Sequence, residues 1–126
     1  MKLRIKGASL RLRLTQAEVR ALAAEGQVEE QVPFAGNARF TYRLSRDAGV
    51  ASLEARFSGG VLAVRIPEAQ ARHWCTSEDV TLSASEAVGA DTLRITVEKD
   101  FACLAPRSDE DESDNFPHPQ AGAKTC

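Results

Sequence analysis

The residues best placed to do chemistry in this 126-residue sequence are the basic ones at its start. In the stretch KLRIKGASLRLRLT (residues 2–15), Lys and Arg alternate with apolar residues. Such alternation is typical of strands with one buried and one polar face, so the basic side chains should share a face. Arg and Lys side chains on one face suit phosphate or carboxylate groups. The sequence therefore predicts an anion-binding site, and its candidate residues are Arg4, Lys6, Arg11, Arg13 and, from a similar later stretch, Arg65.

A turn at Gly7-Ala8 would pair these two strands. In a two-residue hairpin turn of the type that begins with Gly, Arg4 lies opposite Arg11 and Lys2 lies opposite Arg13. Like charges directly opposite each other are unfavourable, so a negative group should offset them. The alternative is a solvated face, in which the long side chains cover apolar surface with their stems.

The C-terminal region carries the opposite charge and is the first candidate for that negative group. Its acidic cluster is Asp109, Glu110, Asp111, Glu112 and Asp114. The cluster lacks the ligand spacing and central Gly of a calcium loop, so we expect no metal there. We expect the tail to dock on the domain to about residue 118 and to fray after it. The anchors predicted for this docking are Phe101, Cys103, Leu104, Arg107 and Phe116.

Cysteine and histidine are the remaining candidates. No CxxC pair occurs, and HWC (residues 73–75) lacks zinc-site spacing; a site assembled from Cys75, Cys103, His118 and Cys126 stays open. Three Cys residues without a secretory segment indicate reduced thiols and a cytoplasmic location. We expect His73 and Trp74 to cover the edge of the core.

The motifs and the composition of the sequence exclude several classes of function. The sequence contains no phosphate-binding glycine loop, no GxSxG, no HExxH and no dinucleotide fingerprint, and we predict no catalytic residue and no cofactor. A net charge of -2 and few aromatic residues among the basic ones argue against nucleic acid as a partner. No apolar run is long enough to span a membrane. The expected partners are a protein, a second copy of the chain paired through strand edges, or an anionic small molecule.

The segment TQAEVRALAAEG (residues 15–26) is predicted to form a helix. Thr15 is the N-cap, Glu18 completes a capping box, and Gly26 suits the left-handed position at the C-terminal end. Val19 and Leu22 lie on the face that should be buried.

A similar arrangement recurs 52 residues later, where FSGGVLAVRIPEAQARHW (57–74) aligns with IKGASLRLRLTQAEVRAL (5–22). The sequence therefore predicts an α+β, β-rich domain over residues 1–99. It should have about eight mostly antiparallel strands and two short helices, arranged as two ββαββ pseudo-repeats (about 1–50 and 51–99) in a sandwich or barrel-like fold. Residues 100–126 form an acidic, proline-containing extension.

Two stretches, KLRIKGASLRLRLTQAEV (2–19) and EKDFACLAPRSDEDESDNFPHP (98–119), resemble a family of small conserved hypothetical bacterial proteins. The resemblance implies a free-standing cytoplasmic bacterial protein of unknown function. The expected architecture is also similar to that of the triphosphate tunnel hydrolases, which line a barrel with Arg, Lys and Glu to bind polyphosphate and a divalent metal. This chain has KLRIK where those proteins carry ExExK.

Two functions follow as hypotheses. The first is a non-enzymatic binding or interaction module with a basic hairpin face and an acidic tail. The second is a phosphohydrolase of the triphosphate-tunnel type that binds phosphate, polyphosphate or a nucleotide through the basic residues, with Arg94 among them. The missing catalytic motifs favour the first.

Overall fold

Alternating residues form eight strands, and two further segments form helices, within residues 1–101, the part of the chain that this computed structural model describes. The elements are β1 (Lys2–Lys6), β2 (Ser9–Leu14), α1 (Gln16–Glu25), β3 (Gln27–Phe34), β4 (Ala38–Asp47), β5 (Glu54–Ser58), β6 (Val61–Pro67), α2 (Glu68–Thr76), β7 (Thr81–Val88) and β8 (Asp91–Lys99). The β-rich composition with two helices is as predicted. Neither described helix has the length and apolar character needed to cross a membrane.

The strands form four antiparallel hairpins in chain order: β1 with β2, β3 with β4, β5 with β6, and β7 with β8. In the first, Arg4 pairs with Arg11 and Lys2 with Arg13, the predicted register. In the third, Gly59 and Gly60 lie in the turn and Phe57 pairs with Leu62. Leu53 lies just before β5 and outside its ladder, although its side chain is only 4% exposed.

The hairpins assemble into two four-stranded sheets. The first sheet has the order β1-β2-β8-β7 and the second has the order β3-β4-β6-β5. The central pairs, β2 with β8 and β4 with β6, are parallel, whereas the four hairpins are antiparallel. The strands of residues 1–101 do not close into a barrel. Both halves of the chain show the same order of elements, but their common origin stays a prediction.

Both sheets and both helices bury side chains in one hydrophobic cluster. Trp74 of α2 is fully buried in it, and its indole N–H donates a hydrogen bond of 3.0 Å to the carbonyl oxygen of Val80. The expectation for the neighbouring His73 was wrong, because its side chain is 71% exposed and faces Asp79. Adjacent residues of a helix point to different sides, so of His73 and Trp74 only Trp74 reaches the core.

The ends of α1 are fixed as its sequence predicted. The hydroxyl of Thr15 accepts a hydrogen bond from the backbone N–H of Glu18, whose carboxylate accepts one from the backbone N–H of Thr15. Gly26 adopts a left-handed conformation with φ 91°. The guanidinium of Arg46 adds a link that the sequence did not predict: it donates to the carbonyl oxygen of Leu22 at 3.1 Å and pairs with Glu68 of α2 at 2.8 Å.

Candidate functional site: the basic face

Four of the five predicted anion-binding residues share one face of the first sheet. Arg4 and Lys6 lie on β1, and Arg11 and Arg13 lie on β2. Along β2, Leu10, Leu12 and Leu14 are buried, so the residues between them lie on the face opposite the core. Strand alternation thus positions these basic side chains as the sequence predicted.

The strand register extends this face into a regular array of three rows, each crossing β1, β2, β8 and β7 in turn. The first row is Lys2, Arg13, Glu98 and Thr81; the second is Arg4, Arg11, Thr96 and Ser83; the third is Lys6, Ser9, Arg94 and Ser85. We call these twelve positions the basic face. Six of them are basic, five carry a hydroxyl and one is acidic, so the face is strongly suited to anions.

The first row contains a negative group of the kind expected to offset the like charges of Lys2 with Arg13 and of Arg4 with Arg11. The guanidinium of Arg13 donates to the carboxylate of Glu98 at 2.8 Å, and that of Arg11 lies 3.9 Å from the same carboxylate. Asp100, just beyond β8, lies 3.4 Å from the ammonium of Lys2. Glu98 was not among the predicted site residues, because nothing in its neighbourhood in the sequence indicates that β8 lies beside β2.

Arg65 does not belong to the basic face. It lies on β6 in the second sheet, where its guanidinium pairs with Glu54 at 3.2 Å and lies 3.9 Å from Asp47. Its alignment with Arg13 in the pseudo-repeat was the only reason to group it with the others. Arg94, which the sequence offered only for the phosphohydrolase hypothesis, takes a place on the face instead.

The predicted tail anchors fall almost entirely outside the described residues. Phe101 is the last described residue, and its side chain is 65% exposed. The backbone N–H of Asp100 donates to the carbonyl oxygen of Leu14 at 2.8 Å, so the chain leaves the sheet beside the first row. The predictions that lie beyond the described residues are those for Cys103, Leu104, Arg107, Phe116 and the acidic cluster Asp109, Glu110, Asp111, Glu112 and Asp114.

Cys75 is the cysteine within the described residues, and it is half-buried near the end of α2. Burial raises the pKa of its thiol, and the charges of Lys99 and Arg46 offset this only in part. The thiol is therefore protonated at neutral pH and is not an activated nucleophile. Within residues 1–101, no group of three or more His, Cys, Asp or Glu side chains is arranged to hold a metal. The other residues of the proposed Cys/His set, Cys103, His118 and Cys126, lie outside that range.

The fold and the face together define a β-rich α+β protein of two four-stranded sheets, one of which presents a basic outer face. The chain belongs to the family described as Family of unknown function (DUF7009), whose model matches residues 1–120. The predicted resemblance to an uncharacterised conserved family is thereby confirmed, and the matched range contains the acidic cluster as well as the basic face. No curated protein and no solved structure matches the chain.

Proposed function

We propose that the protein is a non-enzymatic binding module whose basic face binds an extended acidic peptide segment, and that the first such segment is its own residues 109–114. The observation that carries the proposal is the composition of the basic face, with six basic side chains and five hydroxyls in three regular rows. A face of this kind offers charged and neutral donors at every row, and Glu98 is the single carboxylate among its twelve positions that competes for them.

The spacing of the rows supports an extended peptide. Successive rows are two residues apart along each strand, which is about 6.6–6.8 Å. Alternate side chains of an extended peptide are separated by the same distance. The acidic cluster contains such a set, since Glu110, Glu112 and Asp114 would point to one side of an extended chain. Three carboxylates at this spacing match three rows of donors.

The number of carboxylates on the basic face favours peptide binding over phosphate hydrolysis. A metal-assisted phosphohydrolase needs several carboxylates to hold its divalent cation beside the phosphate. On the basic face the single carboxylate, that of Glu98, already accepts from Arg13 and lies close to Arg11.

The proposal is tested by titrating the full chain with a labelled peptide of sequence RSDEDESDNF (residues 107–116). The double variant Arg4→Gln with Arg11→Gln should bind about tenfold more weakly, because two donors of the second row are lost. Replacing the five acids of the acidic cluster by their amides should strengthen binding of the added peptide, since the tail of the chain no longer competes. Binding should also weaken as salt is added.

The matched control is the double variant Arg39→Gln with Arg72→Gln, which removes the same charge away from the basic face. Its affinity should stay within about twofold of the parent, a difference below 0.5 kcal/mol that ordinary surface substitutions produce. Equal weakening by both double variants would mean that net charge alone attracts the peptide, and the proposal would be wrong. Tight binding of inorganic triphosphate followed by its hydrolysis would instead support the phosphohydrolase.

A further inference from the structure

A cavity of about 630 Å³ lies at the end of the first sheet, where β8 ends and the described chain stops. Its wall is built from the end of β2, the first turns of α1, the end of α2 and the last residues of the described chain. The wall residues that matter here are Leu14, Val19, Cys75, Lys99, Asp100 and Phe101. The volume falls within the range of about 300–1,000 Å³ that is usual for binding pockets.

The wall of this cavity has a polar part, which includes Gln16, Arg20, Ser77 and Glu78, and an apolar part that suits an apolar side chain. Leu14 and Val19 belong to the hydrophobic cluster, and Cys75 contributes a protonated thiol. The ammonium of Lys99 donates to the carbonyl oxygen of Ser77 at 2.8 Å and lies 5.2 Å from the ring centroid of Trp74. Its charge is therefore engaged in the wall itself, and the cavity does not require an anionic ligand.

The residues that follow Phe101 in the sequence are the candidates to occupy this cavity. Phe101 lies in the wall, and the residues after it are Ala-Cys-Leu-Ala. Consecutive Cα atoms are 3.8 Å apart, so the Cα of Leu104 lies within about 11 Å of that of Phe101. A segment tethered this closely has a high effective concentration at the cavity, and it ends in apolar side chains that match the apolar part of the wall.

We propose that residues 102–105 bind in this cavity, with the side chain of Leu104 as the apolar anchor and Cys103 held against the wall. This intramolecular site does not depend on the proposed function. If both proposals hold, the cavity fixes the start of the tail beside the first row of the basic face, because Asp100 already lies 3.4 Å from Lys2.

The test compares thiol reactivity in full-length chains that keep one cysteine each. Three chains retain only Cys75, only Cys103 or only Cys126, and the other cysteines are removed by Cys75→Ala, Cys103→Ser and Cys126→Ser. The probe is N-ethylmaleimide, and each rate is normalised to the rate of the same chain in denaturant. Cys103 should react at least about tenfold more slowly than Cys126, which corresponds to about 1.4 kcal/mol of protection.

The variant Leu104→Asp separates docking from other causes of protection. It should raise the rate of Cys103 to that of Cys126, and it should also make Cys75 react faster, because the cavity is then open. The control Ala121→Asp adds the same charge in the distal tail and should change neither rate. Since Leu104 and Ala121 both lie outside the described fold, circular dichroism should show both variants folded.

Three outcomes would overturn the proposal. Cys103 that reacts as fast as Cys126 would mean that the segment is not bound. Protection of Cys103 without exposure of Cys75 in Leu104→Asp would place the segment elsewhere. Protection that rises with protein concentration would mean that a second copy of the chain covers the cavity. None of these results would bear on peptide binding by the basic face.

Discussion

At the scale of single residues, the chain start is held by ionic contacts between the two sheets. The ammonium of Met1 pairs with Glu18 of α1 and with Glu30 of β3, the latter at 3.0 Å. The hydroxyl of Tyr42 on β4 donates to the carbonyl oxygen of Met1 at 3.0 Å. These contacts fasten the first strand of the first sheet to two strands of the second sheet, so their protonation states should affect the stability of the whole protein.

These contacts predict that the free energy of unfolding falls at both high and low pH. Burial disfavours the charged ammonium of Met1, but hydrogen bonds from it to Glu18 and Glu30 outweigh this and raise its pKa above 8.0. Burial likewise opposes the charged form of Glu18, yet the same ion pair and the contacts with Thr15 lower its pKa below 4.5. The stabilisation should therefore be complete between these values. It should be lost as pH rises through the raised pKa of Met1 or falls through the lowered pKa of Glu18.

The variant Glu30→Gln tests the alkaline side. At pH 7 it should lower the free energy of unfolding by about 0.5–1 kcal/mol, the range for a partly exposed ion pair. Well above the pKa of the Met1 amine the difference from the parent should disappear, because the amine is then neutral. Urea unfolding followed by Trp74 fluorescence measures both values. Glu25→Gln is the control, and an equal cost of Glu30→Gln at both pH values would contradict the assignment.

At the scale of the elements, the turn between β5 and β6 shows why two glycines are needed side by side. Gly59 and Gly60 have φ of 59° and 77°, which only glycine adopts at low cost. A Cβ atom on Gly60 would also lie 3.0 Å from the carbonyl oxygen of Arg39, whereas one on Gly59 would meet no atom within 4 Å. Gly60 accepts a hydrogen bond from the backbone N–H of Thr41 at 2.9 Å. The close approach is thus part of the parallel pairing of β4 and β6.

These two glycines allow a matched pair of substitutions. Gly59→Ala should cost about 1–2 kcal/mol, the strain of a left-handed alanine. Gly60→Ala should cost the same strain and about 1–3 kcal/mol more, because the backbone of β4 must move away. Thermal or urea unfolding of the two variants gives the difference directly. Equal destabilisation would mean that β4 accommodates the added methyl group without cost.

The elements also show what the sequence could predict. Hairpin register and helix ends depend on neighbours within a few residues, so Gly7 predicted the pairing of Arg4 with Arg11, and Thr15 and Gly26 predicted the ends of α1. Which hairpin lies beside which is fixed by packing over long distances along the chain, and side-chain alternation carries no information about it. The parallel pairing of β2 with β8, and with it the role of Glu98, therefore could not be predicted.

At the scale of the whole molecule, each half of the chain contributes to both sheets. The hairpin of β1 and β2 belongs to the first sheet, and that of β3 and β4 belongs to the second. Within the first half these hairpins do not pair with each other. The parallel pairs β2–β8 and β4–β6 are what join each of them to a hairpin of the second half. We therefore expect that the predicted pseudo-repeat unit does not fold by itself, although the same elements occur in the same order in both halves.

This topology predicts that the chain cannot be divided into two independent domains. Fragments 1–51 and 52–126, cut in the exposed segment between β4 and β5, should each be unfolded, because an isolated hairpin is at best marginally stable in water. Mixed together they should form the native sheets, and the fluorescence of Trp74 in the second fragment should shift to the blue as its indole is buried. Leu44→Asp in the first fragment should prevent this, since Leu44 is fully buried in the shared cluster. Cooperative thermal unfolding of fragment 1–51 alone would contradict the prediction, because it would show that one pseudo-repeat buries enough apolar surface without its partner.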